Sequence, residues 1–279
     1  MNHIKNNKIS NHKCRVCNQT DFKIWGKKDD QVLYQCTNCQ LVFFFPYPTQ
    51  EELDIFYNSN YHNVRGYDGN NKAGELRKRM YLLDVKEVES IVPIKGKFLD
   101  VGCAEGVFLT FLNSKWEKFG IDVSKEAISR ASEKPGIKAY AKDISEVEDN
   151  FYDVIHLRGV FEHILFPDEF ISIARKKLKT GGYLIISTTP NISGIVPSLF
   201  RERYKLVLPN EHVNYFSPVT ISHLAKNHGF SIEKITFPYF NTPYSSFLKD
   251  LFSIPVNYFQ GKASPPFWKN ILSAYLIKK

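Results

Sequence analysis

The feature that most constrains the fold is a regular alternation of apolar strands with amphipathic helical segments between residues 98 and 187. Parallel strands need a long crossover connection, which is usually a helix, so this alternation predicts a parallel sheet covered by helices on both faces. The strands are predicted at residues 98–101, 118–123, 137–141, 152–157 and 183–187, and the helices at 107–113, 125–132 and 168–178. A further helix at 219–227 leads into strands at 230–237 and 274–277.

Four of the five cysteines form two close pairs, Cys14 with Cys17 and Cys36 with Cys39. Two Cys-x-x-Cys pairs at this separation are typical of a zinc site in which four thiolates complete a tetrahedral shell. Such a site leaves no position open for a substrate, so we predict a structural zinc ion. The alternatives are cysteines without a ligand and a redox pair.

The composition narrows the class of protein. Apolar residues make up 43% of the 279 residues, which is enough for one substantial core and a small module. No apolar run of about 18 residues occurs and the first residues are polar, so neither a membrane span nor a secretory signal is predicted, and we expect a cytoplasmic protein. The formal net charge of +8 is carried mainly by scattered lysines, which is typical of solvated faces.

The first predicted strand runs into a glycine-bearing turn that extends from Gly102 to Gly106. In doubly wound sheets a ligand lies against this turn, at the carboxyl edge of the strands. The two glycines let the backbone bend and approach a ligand. Their spacing matches neither the dinucleotide fingerprint nor a phosphate loop, which favours a ligand without phosphate there. A purely steric role for the glycines is the alternative.

Carboxylates end the next two predicted strands. Asp122, with Val123 beside it, lies about 20 residues after the turn, where the ribose hydroxyls of a nucleoside are expected. Its alternative role is a helix N-cap, which Ser124 would also suit. Asp143, beside Ile144, is expected either to accept a hydrogen bond from an adenine amino group or to serve as a cap or turn residue.

In their order along the chain, these motifs resemble class I S-adenosylmethionine-dependent methyltransferases, and most closely the bacterial group with an N-terminal four-cysteine zinc-binding segment. The resemblance is carried by FLDVGCAEGVFL, GIDVSKEAI, AKDI, YDVIHLRGVFEHI, LKTGGYLIISTTPN and EHVNYFSPVTISHLAKNHGF. It extends from Cys14 to about Phe230. It implies a Rossmann-like, mostly parallel seven-stranded sheet with helices on both faces, plus a small N-terminal zinc-ribbon or knuckle module.

The resemblance also implies which residues hold S-adenosylmethionine. The methionine portion is expected at Asp100, Gly102, Cys103, Ala104 and Gly106, the ribose at Asp122 and Val123, the adenine at Asp143 and Ile144, and the reactive sulfonium near Leu157 and Arg158. Ala104 stands where the family often has glycine, and its methyl group is expected to fit if the residue keeps a negative φ. Cys103 is expected to pack beside the cofactor and not to act as a nucleophile.

Two histidines are candidates for the general base that a hydroxyl acceptor would need. They are His163, in the Phe-Glu-His turn after the fourth predicted strand, and His212, in the segment Asn-Glu-His-Val-Asn. Histidine suits this task because its pKa lies near neutrality. The alternative for each is that it only orients a loop by hydrogen bonding.

The motifs predict three parts of the chain. These are a zinc-binding module at 1–48, a helical linker or lid at 49–94, and a methyltransferase domain at 95–279 with an acceptor-binding insertion at about 191–270. Tyr57 and Tyr61 are expected either to close over the cofactor or simply to pack. The aromatic stretch from Phe237 to Phe267 is expected to form an acceptor pocket or a partner surface.

The acceptor is expected to be a small molecule, first a sugar hydroxyl, because the zinc-bearing group resembles such enzymes, and next an isoprenoid or antibiotic-type metabolite. Two alternatives stay open: a zinc-module methyltransferase of ribosomal RNA, and a catalytically silent methyltransferase-like partner protein. Nucleic acid is disfavoured as a partner. The Asn/Asp-Pro-Pro-aromatic motif of base-amine methyltransferases is replaced by Leu-Arg-Gly-Val-Phe-Glu, and a Pro-Cys nucleophile is absent.

Overall fold

The structure, a computed structural model, describes residues 9, 12–53, 55, 72–209 and 211–279. Within these ranges the chain forms one seven-stranded sheet and one four-stranded sheet. The predicted lid residues Tyr57 and Tyr61 lie outside the described residues. None of the described helices has both the length and the apolar composition needed to cross a membrane.

The strands, in chain order, are β1 (Phe22–Lys28), β2 (Gln31–Cys36), β3 (Val42–Phe45), β4 (Lys97–Val101), β5 (Glu117–Ile121), β6 (Ile137–Tyr140), β7 (Tyr152–Arg158), β8 (Leu178–Pro190), β9 (Asn214–Tyr215), β10 (Phe230–Thr236) and β11 (Ile271–Lys278). The helices are α1 (Lys72–Ile91), α2 (Val107–Phe111), α3 (Lys125–Ser132), α4 (Pro167–Lys177), α5 (Ile195–Phe200), α6 (Pro218–Asn227) and α7 (Phe247–Phe259). Residues 50–53 are also helical, and 3₁₀ turns lie at Ile144–Glu146, Phe161–His163 and Arg201–Arg203.

The seven-stranded sheet has the order β10-β11-β8-β7-β4-β5-β6. Strands β4 to β8 are parallel to their neighbours among themselves, while β11 runs antiparallel to both β8 and β10. This confirms the predicted mostly parallel sheet. The chain proceeds from β4 to one edge through β5 and β6, and then continues on the other side through β7 and β8. The topological switch point therefore lies between β4 and β7, where open parallel sheets bind their ligands.

Strand β4 shows why the apolar runs of this sequence form buried strands. Phe98 packs in one core cluster with Phe108 and Trp116. Its neighbour Leu99 belongs to a second cluster with Ile155. Successive side chains of a strand point to opposite faces, so both faces of the sheet must be covered, as the prediction requires. Burial of each such side chain stabilises the fold by about 1.5–3 kcal/mol.

The double glycine at residues 181–182 is not the turn before a strand that the sequence predicts. It lies inside β8, and the register against β7 shifts between Tyr152 and Val154. Gly181 has a φ of +77°, which allows the strand to bulge without ending. The other predicted strands and helices agree with the structure to within a few residues at their ends.

The four-stranded sheet joins the amino-terminal segment to a distant part of the chain. Its order is β1-β2-β3-β9, and Val42 and Phe43 of β3 pair with Tyr215 and Asn214 of β9. One continuous core cluster includes Leu41 of this segment together with residues of the large sheet. The segment predicted as an insertion, 191–270, contains α5, β9, α6, β10 and α7, of which β10 belongs to the large sheet.

Candidate active site

A cavity of about 350 Å³ opens at the carboxyl ends of β4 and β5. Its walls come from the turns after these strands, the segment after β6, the 3₁₀ turn after β7, helix α4 and the short helix at residues 50–53. Of the residues predicted for the site, it is lined by Gly102, Asp122, Val123, Asp143, Ile144 and His163. The other predicted site residues of the sheet and its loops do not line this cavity; they are Asp100, Cys103, Ala104, Gly106, Leu157, Arg158 and His212.

The turn after β4 bends through three residues with a positive φ. Gly102, Ala104 and Gly106 have φ values of 69°, 47° and 71°. A Cβ atom on Gly102 would lie 2.7 Å from a methyl carbon of Val160, so only glycine fits there. The condition under which the Ala104 methyl group is expected to fit, a negative φ, is not met. The Ala104 amide is held by Asp122, and the left-handed conformation costs a non-glycine residue about 1–2 kcal/mol.

Asp122 connects the turns that follow β4 and β5. Its Oδ2 accepts a hydrogen bond from the Ala104 amide at 2.9 Å, and its Oδ1 accepts one from the Ser124 amide at 3.0 Å. Ser124 is the N-cap of α3, since its Oγ accepts from the Ala127 amide at 3.2 Å. The N-cap alternative for Asp122 is therefore excluded. The Asp122 carboxylate thereby ties the two turns together at the carboxyl edge of the sheet.

Asp143 combines a capping role with a position in the cavity wall. Its carboxylate accepts from the Ser145 amide at 2.8 Å, while the Glu146 carboxylate accepts from the Asp143 amide at 2.8 Å. This capping box fixes the 3₁₀ turn that follows β6. Asp143 is exposed, whereas the adjacent Ile144 is buried, so the two residues offer a polar and an apolar contact side by side.

Asp100 is held from inside the sheet by a histidine that sequence reasoning missed. His156, on β7, is fully buried, and its Nδ1 lies 2.9 Å from Oδ1 of Asp100. A carboxylate only accepts, so Nδ1 carries the proton, and in the neutral ring Nε2 accepts from the hydroxyl of Ser187 on β8 at 2.8 Å. The available signal was a polar residue within the apolar run YDVIHLR.

Arg158 pairs with a helix and not with the cavity. Its Nε donates to Oδ2 of Asp84 at 2.6 Å, and its guanidinium carbon lies 4.6 Å from the centre of the Tyr81 ring. Asp84 and Tyr81 belong to α1, so Arg158 fastens this helix to the carboxyl end of β7. The sequence does not predict a role for Asp84, because no local pattern identifies a helical aspartate as the partner of a distant arginine.

Cys103 and Leu157 are packing residues. Leu157 is fully buried, and the Sγ atom of Cys103 lies so near Gly120 that a Cβ atom there would approach it to 2.7 Å. Burial, followed by the negative charges of Asp100 and Asp122, raises the pKa of the Cys103 thiol. The thiol therefore stays protonated at neutral pH, and only a thiolate is a nucleophile.

The two candidate histidines lie together. Their ring centroids are 4.8 Å apart at an interplanar angle of 72°. Nδ1 of His163 donates to the Glu211 carbonyl at 2.7 Å, and Nδ1 of His212 donates to the Leu206 carbonyl at 2.9 Å. A carbonyl only accepts, so in each neutral ring Nε2 carries the lone pair. Burial lowers the pKa of His212 to about 4.

Glu162 is a third polar residue of this group. Its carboxylate and one ring nitrogen of each histidine lie within 4.8 Å of one another, and Glu162 is buried. The two segments meet through the Val213 amide, which donates to the Glu162 carbonyl at 3.0 Å. Glu162 belongs to the Phe-Glu-His turn that contains His163. Its contact with His212 cannot be predicted from the sequence, because no local pattern shows that the two segments meet.

The four N-terminal cysteines form a compact cluster. Sγ of Cys14 lies 3.4 Å from that of Cys39, Sγ of Cys17 lies 3.5 Å from that of Cys36, and all four sulfurs lie within 4.8 Å of one another. Tetrahedral zinc with bonds of about 2.3 Å separates its thiolates by about 3.8 Å. The donor set therefore fits a closed zinc site.

The segment at residues 14–47, which we call the knuckle, contacts both histidine-bearing segments. Arg15 donates to the Leu165 carbonyl at 2.9 Å, and Leu165 lines the cavity. The Thr220 hydroxyl donates to the Cys39 carbonyl at 2.8 Å, and the Tyr47 hydroxyl donates to the Asn214 side chain at 3.0 Å. The knuckle thus supports the loop after β7 and the segment around β9.

Two relatives match part of the sequence of this chain. The uncharacterized protein MJ1123 of Methanocaldococcus jannaschii is 28% identical over 160 residues, which are 56% of this chain and 75% of that protein. The ubiquinone biosynthesis O-methyltransferase of Burkholderia vietnamiensis is 32% identical over 111 residues, or 36% of this chain, and the match spans 48% of that relative, about half its length.

A solved structure shares the fold. It is the Burkholderia thailandensis 1,6-didemethyltoxoflavin-N1-methyltransferase, with 1,6-didemethyltoxoflavin and S-adenosylhomocysteine bound, at a TM-score of 0.56 and 14% identity over 91% of this chain and 98% of that one. A family model described as a methyltransferase domain matches residues 69–235, which is more than half of the chain. The chain therefore belongs to the methyltransferase domain family, as a class I S-adenosylmethionine-dependent enzyme.

Proposed function

We propose that this enzyme methylates a hydroxyl group of a small molecule, with a sugar as the first candidate and an isoprenoid or antibiotic-type metabolite as the next. The observation that carries this proposal is the histidine pair: His163 lines the cavity, its Nδ1 is held by a backbone carbonyl, and its ring packs against that of His212. A hydroxyl needs such a base, whereas an amine acceptor would not need it to the same extent. The relative named as an O-methyltransferase gives further support.

We assign the cofactor to the turn after β4 and the neighbouring strand ends. Gly102 allows close approach, and we assign Asp122 to the ribose hydroxyls and Asp143 with Ile144 to the adenine. Val123 lines the same cavity. Six assigned residues lie outside the cavity wall and support it: Asp100, Cys103, Ala104, Gly106, Leu157 and Arg158. Asp100 does so through its hydrogen bond with His156, Arg158 through its ion pair with Asp84, and Cys103 and Leu157 through packing. When bound, S-adenosylmethionine supplies a methyl group on an electrophilic sulfonium.

The residues of the chain then have two tasks. The apolar wall that includes Val160, Ile164 and Leu165 excludes water and holds the acceptor near the methyl group. His163 is assigned to accept the hydroxyl proton at Nε2, beside the buried Glu162 carboxylate. Burial lowers the pKa of His212 to about 4, so His212 is a poor base at neutral pH and is assigned to packing against the His163 ring.

We assign a structural zinc ion to Cys14, Cys17, Cys36 and Cys39. The sulfur spacing and the four-thiolate donor set support zinc. The residues at 1–48 would then form a module whose task is to support the acceptor side of the cavity, and the helical segment within 49–94 would form its link to the large sheet. The segment 191–270 supplies His212 and is assigned to the acceptor side.

The decisive experiment incubates the full chain with S-adenosylmethionine carrying a labelled methyl group and a panel of acceptors. The panel contains sugars, nucleotide-linked sugars, phenols, isoprenoid alcohols, amines and ribosomal RNA. We expect label on a hydroxyl-bearing small molecule. Label on RNA, or on amines alone, would overturn the proposal, and a lack of cofactor binding in calorimetry would favour the silent partner protein.

A histidine variant tests the base. His163→Gln is expected to lower kcat by about 10²–10⁴-fold while the Kd for S-adenosylmethionine stays unchanged, because the ring is assigned to the proton and not to the cofactor. His223→Gln, a half-buried histidine on α6, is the matched control and should leave both constants unchanged. Equal kcat values for the two variants would remove His163 from the chemistry.

A further inference from the structure

Helix α7 presents an apolar face to solvent. Its exposed fractions are 66% for Leu248, 69% for Phe252, 50% for Val256 and 85% for Phe259. These positions recur at helical spacing, so they form one stripe along the helix. Soluble monomers rarely leave a contiguous stripe of large apolar side chains uncovered unless it is an interaction surface.

The opposite side of α7 is firmly attached. Asp250, the buried residue of this helix, accepts from the Tyr239 hydroxyl at 2.7 Å and from the Ser246 amide at 2.9 Å. Ile254 and Tyr258 pack against a core cluster that contains Phe200. The outward direction of the stripe is therefore imposed by the fold.

Neighbouring aromatic rings extend the stripe. Phe240 and Trp268 are exposed, and the Phe240 ring lies 5.8 Å from the Phe247 ring and 6.4 Å from the Trp268 ring. We call the surface formed by Phe247, Leu248, Phe252, Val256, Phe259 and Trp268 the α7 face. It combines aliphatic and aromatic side chains, and tryptophan favours the boundary between an apolar phase and water.

The chain segment that carries the α7 face has accessible charges of one sign. Between residues 240 and 269 the charged residues are Lys249, Asp250, Lys262 and Lys269, and Asp250 is buried. The accessible charges of this segment are therefore all positive. A symmetric contact between two copies would bring these lysines together, whereas an anionic lipid surface complements them.

We propose that the α7 face docks onto an anionic lipid bilayer. At about 1.5 Å per residue the helix is about 20 Å long, and it would lie in the plane of the headgroups with its apolar side chains inserted. The lysines would then face lipid phosphates. This inference stands apart from the identity of the methyl acceptor, because none of the α7 face lines the cavity.

The test mixes the full chain with phosphatidylcholine vesicles, with and without phosphatidylglycerol, and measures co-sedimentation. We expect binding to the anionic vesicles, weakened by salt. The double variant Phe252→Ser/Phe259→Ser should weaken binding by on the order of tenfold or more for each ring removed. Leu82→Ser, on α1 and 52% exposed, is the matched control and should bind like the parent.

Tryptophan fluorescence gives a second readout. Trp25 and Trp116 are buried while Trp268 is exposed, so vesicles should shift the parent emission to shorter wavelength, and Trp268→Phe should abolish the shift. Retained cofactor binding by every variant shows that it is folded. Indifference of the parent to anionic vesicles would overturn the proposal. The proposal would also be overturned if the parent sediments as a dimer, the variant Phe252→Ser/Phe259→Ser sediments as a monomer, and the parent does not bind vesicles.

Discussion

His163 and His212 contact each other edge to face, with ring centroids 4.8 Å apart, although they come from the loop after β7 and from the segment before β9. Each ring is oriented by a hydrogen bond from Nδ1 to a backbone carbonyl. The two rings therefore pack as one unit, and a substitution of either histidine should disturb the segment that carries the other.

Stability should fall in acid because of His212. Burial lowers its pKa from 6.5 to about 4, so between these values the unfolded chain binds a proton that the folded chain does not. The contribution is present above pH 6.5 and is lost as the pH falls towards 4, by at most about 3 kcal/mol. Urea unfolding across this window should show a shallower loss for His212→Gln than for the parent. An identical slope in both would contradict the assignment.

Ala104→Gly should stabilise the protein by up to about 1 kcal/mol, because glycine adopts the observed φ of +47° without the steric cost borne by alanine. The measurement is the free energy of unfolding in denaturant. Ala127→Gly is the matched control: Ala127 is a buried residue of α3, and there glycine should destabilise by about 1 kcal/mol. Destabilisation by both substitutions would mean that the turn does not hold Ala104 in the left-handed region.

Asp122→Ala should raise the Kd for S-adenosylmethionine by about 10-fold to 100-fold, since charge-assisted hydrogen bonds contribute about 1.5–3 kcal/mol. Some stability is lost as well, because the Ala104 and Ser124 amides lose their acceptor. Calorimetry measures the Kd, and Asp149→Ala, at an exposed carboxylate paired with Lys177, serves as the comparison. Equal affinities for the two variants would remove Asp122 from the cofactor site.

Removal of zinc should impair turnover more than cofactor binding. The knuckle supports the Leu165 carbonyl through Arg15 and receives the Thr220 hydroxyl at the Cys39 carbonyl, whereas its cysteines do not line the cavity. We expect one zinc ion per chain by elemental analysis, and a lower kcat with little change in the Kd for S-adenosylmethionine after chelation or in Cys39→Ser. Full turnover by metal-free protein would refute this supporting role.

The elements that the sequence predicted best depend on neighbours in the chain. The strand and turn from Phe98 to Gly106 follow from an apolar run and two glycines, and Ser124 begins α3 as a cap should. The cysteine pairs also carry their spacing within the sequence. Each signal needs only a few consecutive residues, because side-chain period, capping and turn chemistry act locally.

The sequence by itself thus determined the alternating strands and helices, the glycine-bearing turn after β4 and the pairing of the cysteines. Only the tertiary structure decided that β9 completes the N-terminal sheet, that Arg158 pairs with Asp84, and that Glu162 lies beside His212. It also decided the positive φ of Ala104, whose amide donates to the carboxylate of Asp122 just after the neighbouring strand. The physical reason is that such contacts depend on how the whole core packs, and no short stretch of sequence records which distant segment will lie against it.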